Sequence, residues 1–175
     1  DHLAFAARRE RENIFLSNPF IPDIKILFGK EYAVALESRS IIEEMTGYRI
    51  SDDEAGFIAL HIHSGLSDEA VSETLKATQL IDESMQIIEE HLEKEMQKEA
   101  LNYIRLMSHL YYMVVRTKTG EAVNIDLNEF VQEKYPEAMK IAALICDNMA
   151  EKLERQIMQE EVGFLAIHIQ RMIAA

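Results

Sequence analysis

Apolar residues recur at three- and four-residue steps along most of this chain. In EAVSETLKATQLIDESMQIIEEHLEKEM (69–96), Val71, Leu75, Thr78, Ile81, Met85, Ile88 and Leu92 keep that rhythm. Neither Gly nor Pro interrupts it. Residues 137–157 repeat the pattern with Met139, Ala142, Ile145, Met149 and Leu153. Alternation of period two, bounded by turn residues, is not convincing anywhere. The pattern predicts an all-α chain, with Pro19, Pro22 and Pro136 in loops or at helix starts.

The same pattern occurs twice. EAGFIALHI (54–62) and EVGFLAIHI (161–169) agree at six of nine positions, and the other three exchange small or aliphatic residues. Their offset is 107, and DHLAFAARR (1–9) meets SHLYYMVVR (108–116) at the same offset. That pairs His2 with His109, Arg9 with Arg116 and His61 with His168. NIFLSN (13–18) and NIDLNE (124–129) match at 111 instead, which implies a four-residue insertion and a compensating deletion. A repeat of this kind predicts two copies of one helical unit. The units are placed at 1–66 and 67–175.

Local signals place the repeated helix. Ser51 and Glu54 fit a capping box at its start, and Gly65 suits its C-terminal cap. Glu54, Phe57, His61 and Ser64 then share one helix face, as do Glu161, Phe164 and His168. His63 points elsewhere, and Gln170 occupies its place in the second copy, which argues against a special role for it. His2 and Arg9 lie about two turns apart, as do His109 and Arg116, so each pair lies on nearly the same face. These arginines either steady an anion or pair with local carboxylates.

Composition narrows the class. A hydrophobic content of 48% supports a packed core. No apolar run has the ~20 residues of a membrane helix, and DHLAFAARRE lacks the features of a signal peptide. The formal net charge of −13 would repel a phosphate backbone, so direct RNA or DNA binding is disfavoured. The lone Cys146 cannot form an internal disulfide, which fits a reducing cytoplasm.

Four histidines at matched positions in two otherwise diverged copies call for a chemical reading. Metal binding would need a short-spaced ligand pair, and none exists. Acid–base catalysis would need a partnered carboxylate or nucleophile in a recognisable motif, and none is evident. No cofactor and no enzymatic activity are expected. The remaining chemistry is phosphate acceptance, since neutral imidazole is a good nucleophile near neutral pH. A phosphoryl group adds up to two negative charges, enough to lock or break a packed helical assembly. The plainer alternative keeps these histidines as buried structural residues of a helical scaffold.

The stretches DHLAFAARR with DDEAGFIALHI, and SHLYYMVVR with EEVGFLAIHI, resemble the PTS regulation domain, or PRD. Two in tandem are similar to the regulatory region of BglG/SacY-type transcriptional antiterminators, with wording nearest the glucose-responsive GlcT branch. The resemblance spans essentially the whole chain. It implies about five helices per complete domain and a cytoplasmic homodimer. It implies that His2, His61, His109 and His168 take phosphoryl groups from HPr or from a sugar-specific enzyme II. It also implies that RNA is bound only through an N-terminal domain, which this sequence lacks. Arg9 and Arg116 are candidate receivers of phosphate.

Two departures shape the expectation. The helix preceding His109 has no counterpart before His2, so the first unit is expected to be incomplete at its N-terminus. Tandem PRDs also occur in DNA-binding activators of sugar operons, usually followed by further domains, and here little follows His168.

Overall fold

The computed structural model describes residues 5, 6, 8, 9, 12, 14, 16–67 and 70–174. His2 therefore lies outside the described residues. The chain forms two compact units, Asp1–Gln79 and Leu80–Ala175. Every regular element among the described residues is helical, so the chain is all-α as its periodicity predicts.

In the first unit α1 is Ile21–Leu27, α2 Gly29–Glu37, α3 Arg39–Thr46 and α4 Asp52–Ser67. Phe5, Ala6, Arg8 and Arg9 are also helical. Helix α4 packs on α1 and α2, and buries Ala55, Ala59 and Leu60 against Ile24, Phe28, Tyr32 and Ala35 of this core. In the second unit α6 is Leu101–Thr119, α7 Asn128–Lys134, α8 Pro136–Leu153 and α9 Gln159–Ile173. Helix α9 packs on α6, α7 and α8, with Leu165, Ala166 and Ile169 fully buried. Helix α5, Val71–Leu92, gives its first residues to one unit and the remainder to the other.

The offset of 107 holds at the matched helix starts. Helices α1 and α7 start at 21 and 128, and α4 and α9 at 52 and 159. The residues before α2 and α8, Phe28 and Tyr135, share an unusual backbone (φ −125°, ψ 41° and φ −137°, ψ 58°). The offset is 107 on both sides of NIFLSN (13–18), as an insertion with a compensating deletion between them requires, and Asn13 and Phe15 lie outside the described residues. One difference is real. Where α8 is continuous, the first unit breaks into α2 and α3 at Ser38, whose hydroxyl donates back to the Ala35 carbonyl at 2.8 Å. Such back-bonding bends helices, and the matched residue in α8 is Ile145.

The repeated glycine has a steric reason. A Cβ at Gly56 would sit 2.4 Å from Ile21 Cδ1 and 2.8 Å from Asn18 Nδ2. One at Gly163 would sit 2.7 Å from Asn128 Oδ1 and 3.1 Å from its backbone nitrogen. The glycines therefore let the start of α1 lie against α4, and that of α7 against α9. The caps depart from expectation. Ser51 Oγ accepts from the Glu54 N–H at 3.2 Å, but the Glu54 carboxylate turns to Arg9 and leaves the box half-formed. Gly65 lies within α4, which continues to Ser67.

Candidate functional site

Helices α6 and α9 of the second unit run antiparallel and bring their polar faces together. On α6, Asn102, Arg105, His109 and Arg116 follow helical spacing; on α9, Glu161, His168 and Arg171 do the same. At one end Arg116 closes on Glu161 with Nε at 2.6 Å from Oε1 and Nη2 at 2.9 Å from Oε2. This is the bidentate fork that suits guanidinium and carboxylate. In the middle the His109 and His168 rings stack at 4.6 Å between centroids, tilted by 30°. At the other end the Asn102 amide donates to the Arg171 carbonyl at 3.4 Å.

The electrostatics follow from burial. Burial, then the neighbouring His168 and Arg116, pushes His109 down to about 3. The Glu161 carboxylate lies 3.8 Å from His109 Nε2 but does not restore its charge, because Arg116 already neutralises it. His109 Nε2 is buried with no hydrogen-bond partner. His168 is also held below the ordinary histidine value, by burial first and then by Arg171 and Arg105. Both rings are therefore neutral at pH 7, as a nitrogen nucleophile must be.

The first unit repeats the brace. Arg9 donates from Nε at 3.0 Å and from Nη2 at 2.6 Å to Glu54 Oε1. Its histidine, His61, is exposed on α4, while the matched His168 is half-buried. The local-carboxylate reading of Arg9 and Arg116 thus has a named partner in each unit.

Sequence reasoning passed over three residues. Arg105 and Arg171 flank the histidine pair, yet the repeat is blind to them: Ser64 matches Arg171, and Arg105 has no counterpart in the sequence. Helical spacing from His109 and His168 was the signal available. His63 was set aside because Gln170 replaces it; its Nδ1 lies 3.1 Å from Glu31, and its ring 4.3 Å from that of Phe28. Cys146 is buried, and its thiol is pushed up to about 12, chiefly by burial. Among the described residues no three His, Cys, Asp or Glu side chains gather to hold a metal ion, and no helix is long and apolar enough to cross a membrane.

Comparison with known proteins places this arrangement among relatives. The family described as "PRD domain" matches residues 1–65 and again 82–172. The ptsGHI operon antiterminator of Bacillus subtilis is 30% identical over 171 residues, covering 97% of this chain and 61% of the relative. The beta-glucoside operon antiterminator of Dickeya chrysanthemi is 33% identical over 175 residues, covering 98% and 62%. The transcription antiterminator LicT of B. subtilis is 30% identical over 176 residues, covering 99% and 64%. The chain thus spans about three fifths of the length of these relatives.

Proposed function

The chain belongs to the PRD domain family, and from that premise we propose that it is the regulatory region of a transcriptional antiterminator. Residues 1–66 and 67–175 are its two regulatory domains. His2, His61, His109 and His168 accept phosphoryl groups from the sugar phosphotransferase system, through HPr or a sugar-specific enzyme II. Phosphorylation alters homodimerisation in the cytoplasm, and RNA is gripped by a separate domain. The chain itself catalyses no reaction.

One observation carries this reading most directly. Two neutral imidazoles stack at 4.6 Å on helices whose matched motifs recur in both units. A metal site would present lone pairs converging with acidic neighbours, and Glu161, the carboxylate found beside His109 among the described residues, is already taken by Arg116. A phosphoryl group on either ring adds charge at a seam held by packing, the Arg116–Glu161 ion pair and the Asn102–Arg171 hydrogen bond. A change of a few kcal/mol there is enough to move a two-state population.

The test is phosphate transfer. The chain is incubated with phosphoenolpyruvate, enzyme I and HPr, with and without a sugar-specific enzyme II. Acid-labile phosphate is then located by mass spectrometry under alkaline conditions. Label on these histidines is the expected result; a folded dimer that takes none on any of them would leave a structural scaffold instead.

A further inference from the structure

The seam between α6 and α9 is charge-balanced at one end and unbalanced at the other. Arg105 lies four residues before His109, and Arg171 three residues after His168. Both spacings set the arginine on the face of its histidine. Because the helices run antiparallel, with Asn102 bonded to Arg171, both arginines fall on the side of the stacked rings away from Arg116, and both act on the charge of His168. Arg8, Arg9, Arg39 and Arg116 each close on a carboxylate. Among the described residues Arg105 and Arg171 have no such partner, and both are exposed. Two uncompensated guanidiniums on one face of a chain with a net charge of −13 call for an anion.

We propose that Arg105 and Arg171 form the receiving site for a phosphoryl group on His168, and that Arg116 takes no part in it. This rests on the phosphoryl-acceptor reading above. Arg116 is unsuited because its Nε/Nη2 edge is taken up by the buried Glu161 carboxylate, which neutralises its charge. The first unit has no such site, since Ser64 stands where Arg171 does. The two units therefore hold phosphate with different strength although their histidine motifs match.

The transfer step balances simply. A donor phosphohistidine, protonated on its other ring nitrogen, meets the neutral His168 ring. The lone pair of a His168 nitrogen forms a new N–P bond. The donor's N–P bond breaks, and its ring leaves with the electron pair as neutral imidazole. His168 keeps its N–H, and the two guanidiniums face the phosphoryl oxygens. The same pair already lowers the proton affinity of His168, after burial, and so favours the neutral nucleophile.

The experiment compares the wild-type chain, Arg105→Gln/Arg171→Gln, and a control of equal charge change, Lys76→Gln/Lys140→Gln. Each is brought to equilibrium with phospho-HPr, and label on His168 is quantified by mass spectrometry, with circular dichroism to check the fold. Equilibrium is read because donor steering by surface charge alters rates more than end points. The arginine variant should lose about tenfold or more in the transfer equilibrium constant, as expected for lost charge-assisted hydrogen bonds, while the control stays near wild type. If the double variant fails to fold, the single variants should each show a smaller loss in the same direction. Equal labelling of wild type and arginine variant, or an equal loss in the control, overturns the receiving site alone. A wild-type chain that takes no label overturns the acceptor reading and this site with it.

Discussion

Arg116 and Glu161 are 45 residues apart in sequence and meet in a two-pronged ion pair whose carboxylate is only 2% exposed. Arg9 and Glu54 reproduce the pair at the same separation. The glutamate of the repeated motif is thus explained by the arginine it fixes. The pair sets the register of two helices so that the histidines, each about two turns away, fall side by side.

That pair is a strong test of what holds the seam. Arg116→Met leaves the Glu161 carboxylate buried without its cation, and should destabilise the chain by about 3 kcal/mol or more. Arg116→Met/Glu161→Leu removes the stranded charge as well and should recover most of the loss. Urea unfolding of the single and double variants measures both. A double variant no better than Arg116→Met would mean that packing, not charge, sets the cost.

The pH dependence of stability follows from His109. Its folded value of about 3 lies below the ordinary 6.5 of the unfolded chain. The unfolded state therefore binds a proton below pH 6.5 that the folded state refuses. Stability is full above that pH and falls as pH drops from 6.5 towards 3. Between pH 7 and 5 the loss from this group is about 2 kcal/mol. His168, lowered in the same direction, adds to it. His109→Gln should show a shallower decline over that interval in urea unfolding, whatever its stability at pH 7.

Much of this was legible in the sequence, because the signals were local or repeated. Helix periodicity placed α5 and α8, and the offset of 107 aligned Glu54, His61 and Arg9 with Glu161, His168 and Arg116. The misreadings had physical causes. Glu54 left its capping box because a half-buried guanidinium is a stronger partner for its carboxylate than a backbone N–H. Gly65 did not end α4, since a glycine inside an exposed last turn costs only about 1 kcal/mol. Arg105 and Arg171 escaped notice because their role depends on two helices meeting, and no repeat marks them.

The repeated glycines should not tolerate alanine equally. A Cβ at Gly56 meets the ends of the Ile21 and Asn18 side chains, which can rotate away. A Cβ at Gly163 meets backbone of Leu127 and Asn128 at 3.2 and 3.1 Å, as well as Asn128 Oδ1. Alanine gains about 1 kcal/mol of helix propensity at either site. Gly56→Ala should therefore be near neutral or mildly destabilising. Gly163→Ala should lose about 2 kcal/mol through overpacking, and thermal unfolding of the two variants gives the comparison.

The last prediction exploits a place where the two copies differ. Helix α3 ends on Gly47 in the left-handed conformation, with φ 74°. At the matched position α8 ends on Glu154, also left-handed, with φ 52°. The backbone demand is the same, but a glutamate meets it with a Cβ that crowds the carbonyl, at a cost of about 1 kcal/mol. Its N–H still closes on the Ala150 carbonyl, so the cap is formed and only its conformation is strained. Replacing it with glycine relieves the strain but loosens the unfolded chain, which offsets part of the gain. Glu154→Gly should therefore stabilise by up to about 1 kcal/mol, read as a rise in the urea midpoint with an unchanged slope. A fall in the midpoint would show that the glutamate side chain contributes more at this surface than its backbone strain costs.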